Sequence, residues 1–114
     1  MSVTLYGIPN CDTIKKARTW LDARGIAYAF HDYKKAGADP AKLAEWAAQV
    51  SWELLLNRAG TTFRKLPDAD KADLTEAKAI ALMAAQPSCI KRPVVEYPGG
   101  LLVGFKPDIW AAAF

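Results

Sequence analysis

The chain has 114 residues, 52% of them hydrophobic, which suits one domain with a packed core. It holds no apolar run of the roughly 18 residues that a membrane-spanning helix needs. The net charge of +3 is spread along the chain without a Lys/Arg block. It therefore argues for no direct nucleic-acid contact and no membrane, and fits a small anionic substrate.

The first residues, MSVTLYGIPN, carry neither the basic nor the long apolar segment of a secretion signal, so the expected compartment is the cytoplasm. Ser2 to Tyr6 is a short apolar run with β-branched residues and reads as a buried strand. Gly7 to Asn10 is a turn. Ile14, Ala17 and Leu21 then recur at helical spacing, with Lys15, Arg18 and Asp22 on the wet face and Gly25 placed to stop the helix. Ile26 to Asp32 is a second strand. Strand, helix and strand within so short a stretch form a βαβ unit, whose right-handed crossover makes the two strands parallel.

The middle of the chain is helical. Asp39-Pro40 is a cap followed by proline at the first helical position, and Leu43, Ala47 and Val50 continue on one face. Trp52 to Leu56 is a short apolar turn, and residues 59–71 look irregular. Asp73 with Glu76 resembles a capping box, which would open a helix through Leu74, Ala77, Ala81 and Ala84 that closes before Pro87. After it, KRPVVEYPGGLLVGF places two apolar segments around Pro98-Gly99-Gly100, a hairpin signal. Lys106-Pro107-Asp108 opens a last short helix. The order βαβ, helices, ββα is an α/β, thioredoxin-like layout. On this reading residues 1–114 form a single domain with a helical subdomain inserted at roughly 38–86.

The chain has two cysteines, Cys11 and Cys89, and one histidine, His31, too few for a Cys/His metal site. Cys11 stands between the Pro9-Asn10 turn and a helix start. There the backbone N–H groups lack internal partners and the helix dipole is positive, both of which favour a thiolate. Lys15, one turn on, adds positive charge, while the Asp12 carboxylate opposes it. Taken alone, these residues leave a reactive thiol and an inert small residue both open. Cys89, in QPSCIKRP, reads as buried. Its sharper alternative is a resolving cysteine for Cys11, which would need Cα atoms within about 7 Å. His31 reads as a strand-edge residue, and the four tryptophans as packing.

NCDTIKKAR after the first strand, LLNR in the middle and IKRPVV before the hairpin together resemble the arsenate reductase-like (ArsC/Spx) family of thioredoxin-fold proteins, nearest its YffB branch. The resemblance implies that Cys11 is the nucleophile. It implies that Arg58 and Arg92 are site arginines and that Pro93 is the family's cis proline. With Asn10, Thr13 and Lys15 these residues would bind glutathione or substrate. Gly7 stands where the arsenate reductases carry a histidine, and only Thr13 is retained of the residues that follow their cysteine. Lys106 replaces a third arginine, and Ile14 replaces the second cysteine of the Spx regulators' CxxC. The expected function is a glutathione-dependent thiol-disulfide reductase with a single reactive cysteine. It would use no bound cofactor and no metal, take glutathione as co-substrate and have glutaredoxin as a candidate partner. The alternatives are an Spx-like regulator that docks on the RNA polymerase α-subunit, and an arsenate reductase.

Overall fold

The computed structural model describes residues 2–114. Its elements run β1 (Thr4–Gly7), α1 (Asp12–Ala23), β2 (Ala29–Asp32), α2 (Tyr33–Ala36), α3 (Pro40–Val50), α4 (Trp52–Leu55), α5 (Thr61–Arg64), α6 (Asp68–Lys71) and α7 (Glu76–Ala85). A 3-10 turn at Pro87–Cys89, β3 (Val94–Tyr97), β4 (Gly100–Val103) and α8 (Pro107–Ala113) follow. The chain divides into two compact units, one of residues up to Ala36 with Arg92–Phe114, the other Gly37–Lys91. This is the thioredoxin-like α/β fold with its helical insertion.

The first unit holds a 4-stranded sheet in the order β2-β1-β3-β4. β1 pairs with β2 in parallel, as the crossover through α1 requires, and with β3 antiparallel. One face of the sheet is dry: Val3, Leu5 and Val95 pack with Ala17 and Leu21 of α1 and Trp110 of α8. The buried side chains of α1 are Ile14, Ala17 and Leu21, the stripe its spacing demands. Trp110 is fully buried and donates its indole N–H to the Gly104 carbonyl at 3.1 Å, so its one polar atom is satisfied. β1 starts two residues later and ends one residue later than the sequence suggests, and β2 begins only at Ala29. Ile26 to Tyr28 instead close α1, with the Ile26 amide bonded to the Leu21 carbonyl at 3.0 Å.

In the second unit, α3 begins as its sequence demands, the Asp39 side chain accepting from the Ala41 amide at 2.9 Å with Pro40 at the first position. Leu43, Trp46 and Ala47 of α3 are buried, as are Leu55, Leu56, Phe63, Ala79, Met83, Cys89 and Ile90. A bridge between Leu56 and Ile90, flanked by Asn57 N–H to Cys89 O at 2.7 Å and Lys91 N–H to Leu55 O at 2.7 Å, ties the middle of the unit to its C-terminal end.

Two expectations fail here. Residues 59–71 contain the single-turn helices α5 and α6. The cap of α7 is Thr75, whose hydroxyl accepts from the Lys78 amide at 3.2 Å. Asp73 has φ +52, a left-handed turn conformation that aspartate tolerates, and it lies outside α7, which begins at Glu76. Starting α7 at Glu76 turns Ala79 and Met83 inward, so Ala77 and Ala81 lie exposed, not on the buried face.

Candidate functional site

The C-terminal end of β1 leads directly into the Cys11 loop. Cys11 is the N-cap of α1, with extended backbone (φ −118, ψ 129) and no side-chain capping hydrogen bond. Its thiol is half-buried and free of any disulfide. Its carbonyl accepts from the Lys15 amide at 3.0 Å, which starts the helix. The amides of the first turn then have no intrahelical acceptor and face the N-cap position. Ile14 of α1 packs directly against Gly7, which has no side chain. A Cβ there would meet Ile14 Cδ1 at 2.3 Å.

Strand register brings further residues to this end. Tyr6 is opposite Val94 across an antiparallel pair, so Arg92 and Pro93, which lead into β3, arrive level with the loop that leaves β1. The Arg92–Pro93 bond is cis. Val94 is opposite Val103, and the Gly104 amide donates to the Pro93 carbonyl at 2.8 Å, which draws the segment leading to Lys106 to the same end. Cys11, Asn10, Thr13, Lys15, Arg92 and Pro93 thus belong to one end of one sheet. Asn10 and Lys15 are exposed, Thr13 and Arg92 half-buried, and Pro93 buried. Arg58 is carried by the second unit, exposed, with its guanidinium 5.5 Å from the centre of the Trp52 ring. Cys89 is fully buried in that second unit.

The opposite face of the sheet has a polar aromatic cluster that the sequence pattern does not announce. Tyr6 donates to Glu96 Oε1 at 2.5 Å. The His31 ring lies 4.9 Å from that of Tyr6 and 5.6 Å from that of Tyr33. The Tyr33 hydroxyl is buried with no hydrogen-bond partner among the described residues. Burial pushes its pKa well above the usual tyrosine range. Tyr6 and Glu96 push the same way, and Arg92 opposes them. The only forewarning is that Tyr6 and His31 fall at strand positions that the parallel register pairs, with Tyr33 just past the end of β2. Among the described residues no three of His, Cys, Asp and Glu gather as metal ligands would, and no helix is long and apolar enough to cross a membrane.

The ArsC family matches residues 6–113. An uncharacterized protein of Haemophilus influenzae is 39% identical over 112 residues, covering 98% of both chains. Among solved structures, a YffB protein shares 64% identity with a TM-score of 0.96, covering 98% of each chain. An arsenate reductase (ArsC) related protein from Brucella melitensis shares 59% with a TM-score of 0.78, covering 98% of this chain and 93% of that one. More distantly, the global transcriptional regulator Spx of Streptococcus mutans is 26% identical over 108 residues, 93% of this chain and 78% of the regulator.

Proposed function

The chain belongs to the ArsC family, and we propose that within it the protein is a glutathione-dependent thiol-disulfide reductase working through one cysteine, Cys11. The observation that carries this reading is the half-buried, disulfide-free thiol at the N-cap of α1, where no side-chain capping bond competes for the first-turn amides. A thiolate there accepts those amides in place of a capping oxygen and is favoured by the helix dipole.

The reaction uses thiols alone. The Cys11 thiolate attacks the glutathionyl sulfur of a mixed disulfide R–S–SG. The Cys11–SG bond forms, the R–S bond to that sulfur breaks, and the electron pair leaves on RS⁻. A glutathione thiolate then attacks the glutathionyl sulfur held on Cys11. Oxidised glutathione leaves and the Cys11 thiolate returns. No neighbouring cysteine is needed for the second step, since glutathione, or a glutaredoxin, supplies the resolving thiol.

Lys15 and Arg92 provide positive charge at the thiol's end of the sheet. Arginine pairs with carboxylates through bidentate bonds, and glutathione carries two of them. Asn10 and Thr13 flank the thiol with hydrogen-bonding groups. The Pro93 carbonyl is already bonded to the Gly104 amide, so a substrate backbone at this edge meets the amide and carbonyl of Arg92.

The test is direct. The reduced protein, exposed to oxidised glutathione, takes up one glutathionyl group on Cys11 and loses it to excess glutathione. Cys11→Ser takes up none, and its turnover of a small glutathione mixed disulfide falls to background. Arg92→Ala raises KM for glutathione about tenfold, the loss of a charge-assisted hydrogen bond. A Cys11→Ser variant that keeps turnover sinks the reading.

The likeness to Spx favours a second reading, a protein that docks on the RNA polymerase α-subunit. Ile14 at the place of the second CxxC cysteine argues against a redox-switched version of it. Failure of the purified chain to retain polymerase at micromolar concentration removes that reading. Turnover of arsenate with glutathione and glutaredoxin is the corresponding test of the arsenate reductase alternative.

A further inference from the structure

A groove of about 470 Å³ runs along α1 and is closed on its other side by the segment that leads into α8. Its walls include Lys15, Lys16, Trp20 and Ala23 from α1, with Phe105 and Pro107 opposite. All belong to the first unit. Of its wall residues, the exchange reaction described above uses only Lys15.

The floor is apolar. Trp20, Ala23, Phe105 and Pro107 present mainly apolar surface, and the two lysines contribute their aliphatic stems. The charge around it has one sign. No acidic residue lines the groove, while Lys16 and Lys15 do. Lys106 is exposed between the two wall residues Phe105 and Pro107. Arg24 stacks on Trp20 with its guanidinium 4.1 Å from the ring centre, placing a further cation at the far end. Lys15, Lys16 and Lys106 have no ion pair among the described residues. Asp12 and Asp108 lie in the first turns of α1 and α8 but do not line the walls.

The groove starts a helical turn beyond Cys11. Lys15, its first wall residue, donates its amide to the Cys11 carbonyl and lies about 6 Å along the helix axis from the N-cap. From Lys15 to Ala23 is about 12 Å of helix axis, room for roughly three or four residues of extended chain. Glutathione is polar throughout and has no group for an apolar trough. The other half of its mixed disulfide must supply one.

We propose that this groove binds the polypeptide half of the substrate: the segment next to a glutathionylated cysteine, with an aliphatic or aromatic side chain set on Trp20 and Phe105 and carboxylates beside the lysines. The proposal rests on the Cys11 reading and narrows it to the removal of glutathione from acidic, apolar protein segments. The groove holds the leaving half of the disulfide while its cysteine departs as the thiolate.

Two measurements on the full chain separate the groove from the thiol. In the first, a cysteine-free peptide of leucine and glutamate is titrated in and followed by amide NMR. Shifts are expected at Lys16, Ala23 and Phe105. They should be lost in Lys16→Glu and Ala23→Glu, whose altered side chains are exposed and leave the core intact. In the second, the same peptide with one glutathionylated cysteine is compared with the mixed disulfide of glutathione and free cysteine. The peptide should react with kcat/KM about tenfold higher, as burial of one apolar side chain gives. Ala23→Glu should abolish that advantage and leave the small disulfide's rate unchanged. Absence of shifts, equal binding of a leucine–lysine peptide, or equal rates for both substrates overturns the groove proposal, and turnover of the small disulfide still upholds Cys11. Peptide binding with no turnover of either substrate upholds the groove and removes the thiol reading.

Discussion

A Cβ on Gly7 would stand 2.3 Å from Ile14 Cδ1 and 2.9 Å from its Cγ1, and Ile14 is fully buried. These are the positions where the arsenate reductases carry a histidine and the Spx regulators a second cysteine. The two departures from the family pattern are therefore one packing contact, in which the side chain missing from the strand makes space for the isoleucine of the helix. Gly7→Ala should destabilise the protein by about 1–3 kcal/mol through overpacking. Ile14→Val removes the closer of the two atoms. The double variant should therefore lose less than the sum of the singles, and additive losses in denaturant titrations would show that the contact is unimportant. Tyr33 poses a different problem. Its buried hydroxyl lacks a partner among the described residues, which costs about 1–3 kcal/mol relative to an apolar group of the same shape. Tyr33→Phe should therefore be neutral or stabilising at pH 7. The native pKa of Tyr33 is raised, so its hydroxyl stays protonated in the folded protein at pH values where the unfolded chain ionises. The stability linked to it is present in full below the unfolded tyrosine pKa of about 10 and is lost as pH climbs beyond it. Unfolding midpoints between pH 9 and 11, taken as rough bounds of that window, should fall less steeply for Tyr33→Phe than for the parent chain. Equal slopes would mean that Tyr33 ionises normally.

Among the three longest helices, α3 and α7 have side-chain oxygens at their N-caps, Asp39 and Thr75, each accepting an amide of the first turn. At α1 that place is taken by sulfur, and it makes no capping bond. A thiol is a poor capping group, so the helix that presents the nucleophile gives up stability at the point of chemistry. Cys11→Ser restores a capping oxygen. It should raise stability by up to about 1 kcal/mol while abolishing exchange, a dissociation of the two properties read by chemical unfolding and by turnover. A Ser variant less stable than the parent would mean that the sulfur packs better than it caps. Capping also shows how far the sequence could be read at this scale. Asp39-Pro40 is a local signal and holds. Asp73 and Thr75 both have capping side chains, and only backbone dihedral angles, which composition does not state, choose between them. The parallel pairing of β1 with β2, the stripe of α1 and the hairpin follow from short-range periodicity and turns. The Tyr6–Glu96 bond and the groove joining Lys16 to Phe105 do not, because their partners are remote in sequence and meet only through register.

Across the whole molecule the two cysteines differ in kind. Cys11 belongs to the sheet unit, half-buried at a helix end, and Cys89 to the helical unit, with no exposed surface. Cys89 ends the turn after α7, where its carbonyl accepts the Asn57 amide at 2.7 Å. Reaching its sulfur therefore requires that unit to open. At neutral pH an alkylating reagent should modify one thiol rapidly, and peptide mapping should place it at Cys11. Modification of Cys89 should follow only as denaturant exposes it, at a rate that tracks the opening free energy of the helical unit. That second rate should be the same in Cys11→Ser, since the probe no longer depends on the first site. Mutation within the second unit, such as Thr75→Ala at the α7 cap, should speed the labelling of Cys89 by about fivefold, the effect of losing roughly 1 kcal/mol of cap energy. It should leave the labelling of Cys11 unchanged. If Cys89 is labelled first, or both thiols at one rate in the native protein, the assignment of Cys11 as the nucleophile fails. A reactive cysteine must be reachable without unfolding, and in this chain only Cys11 meets that condition.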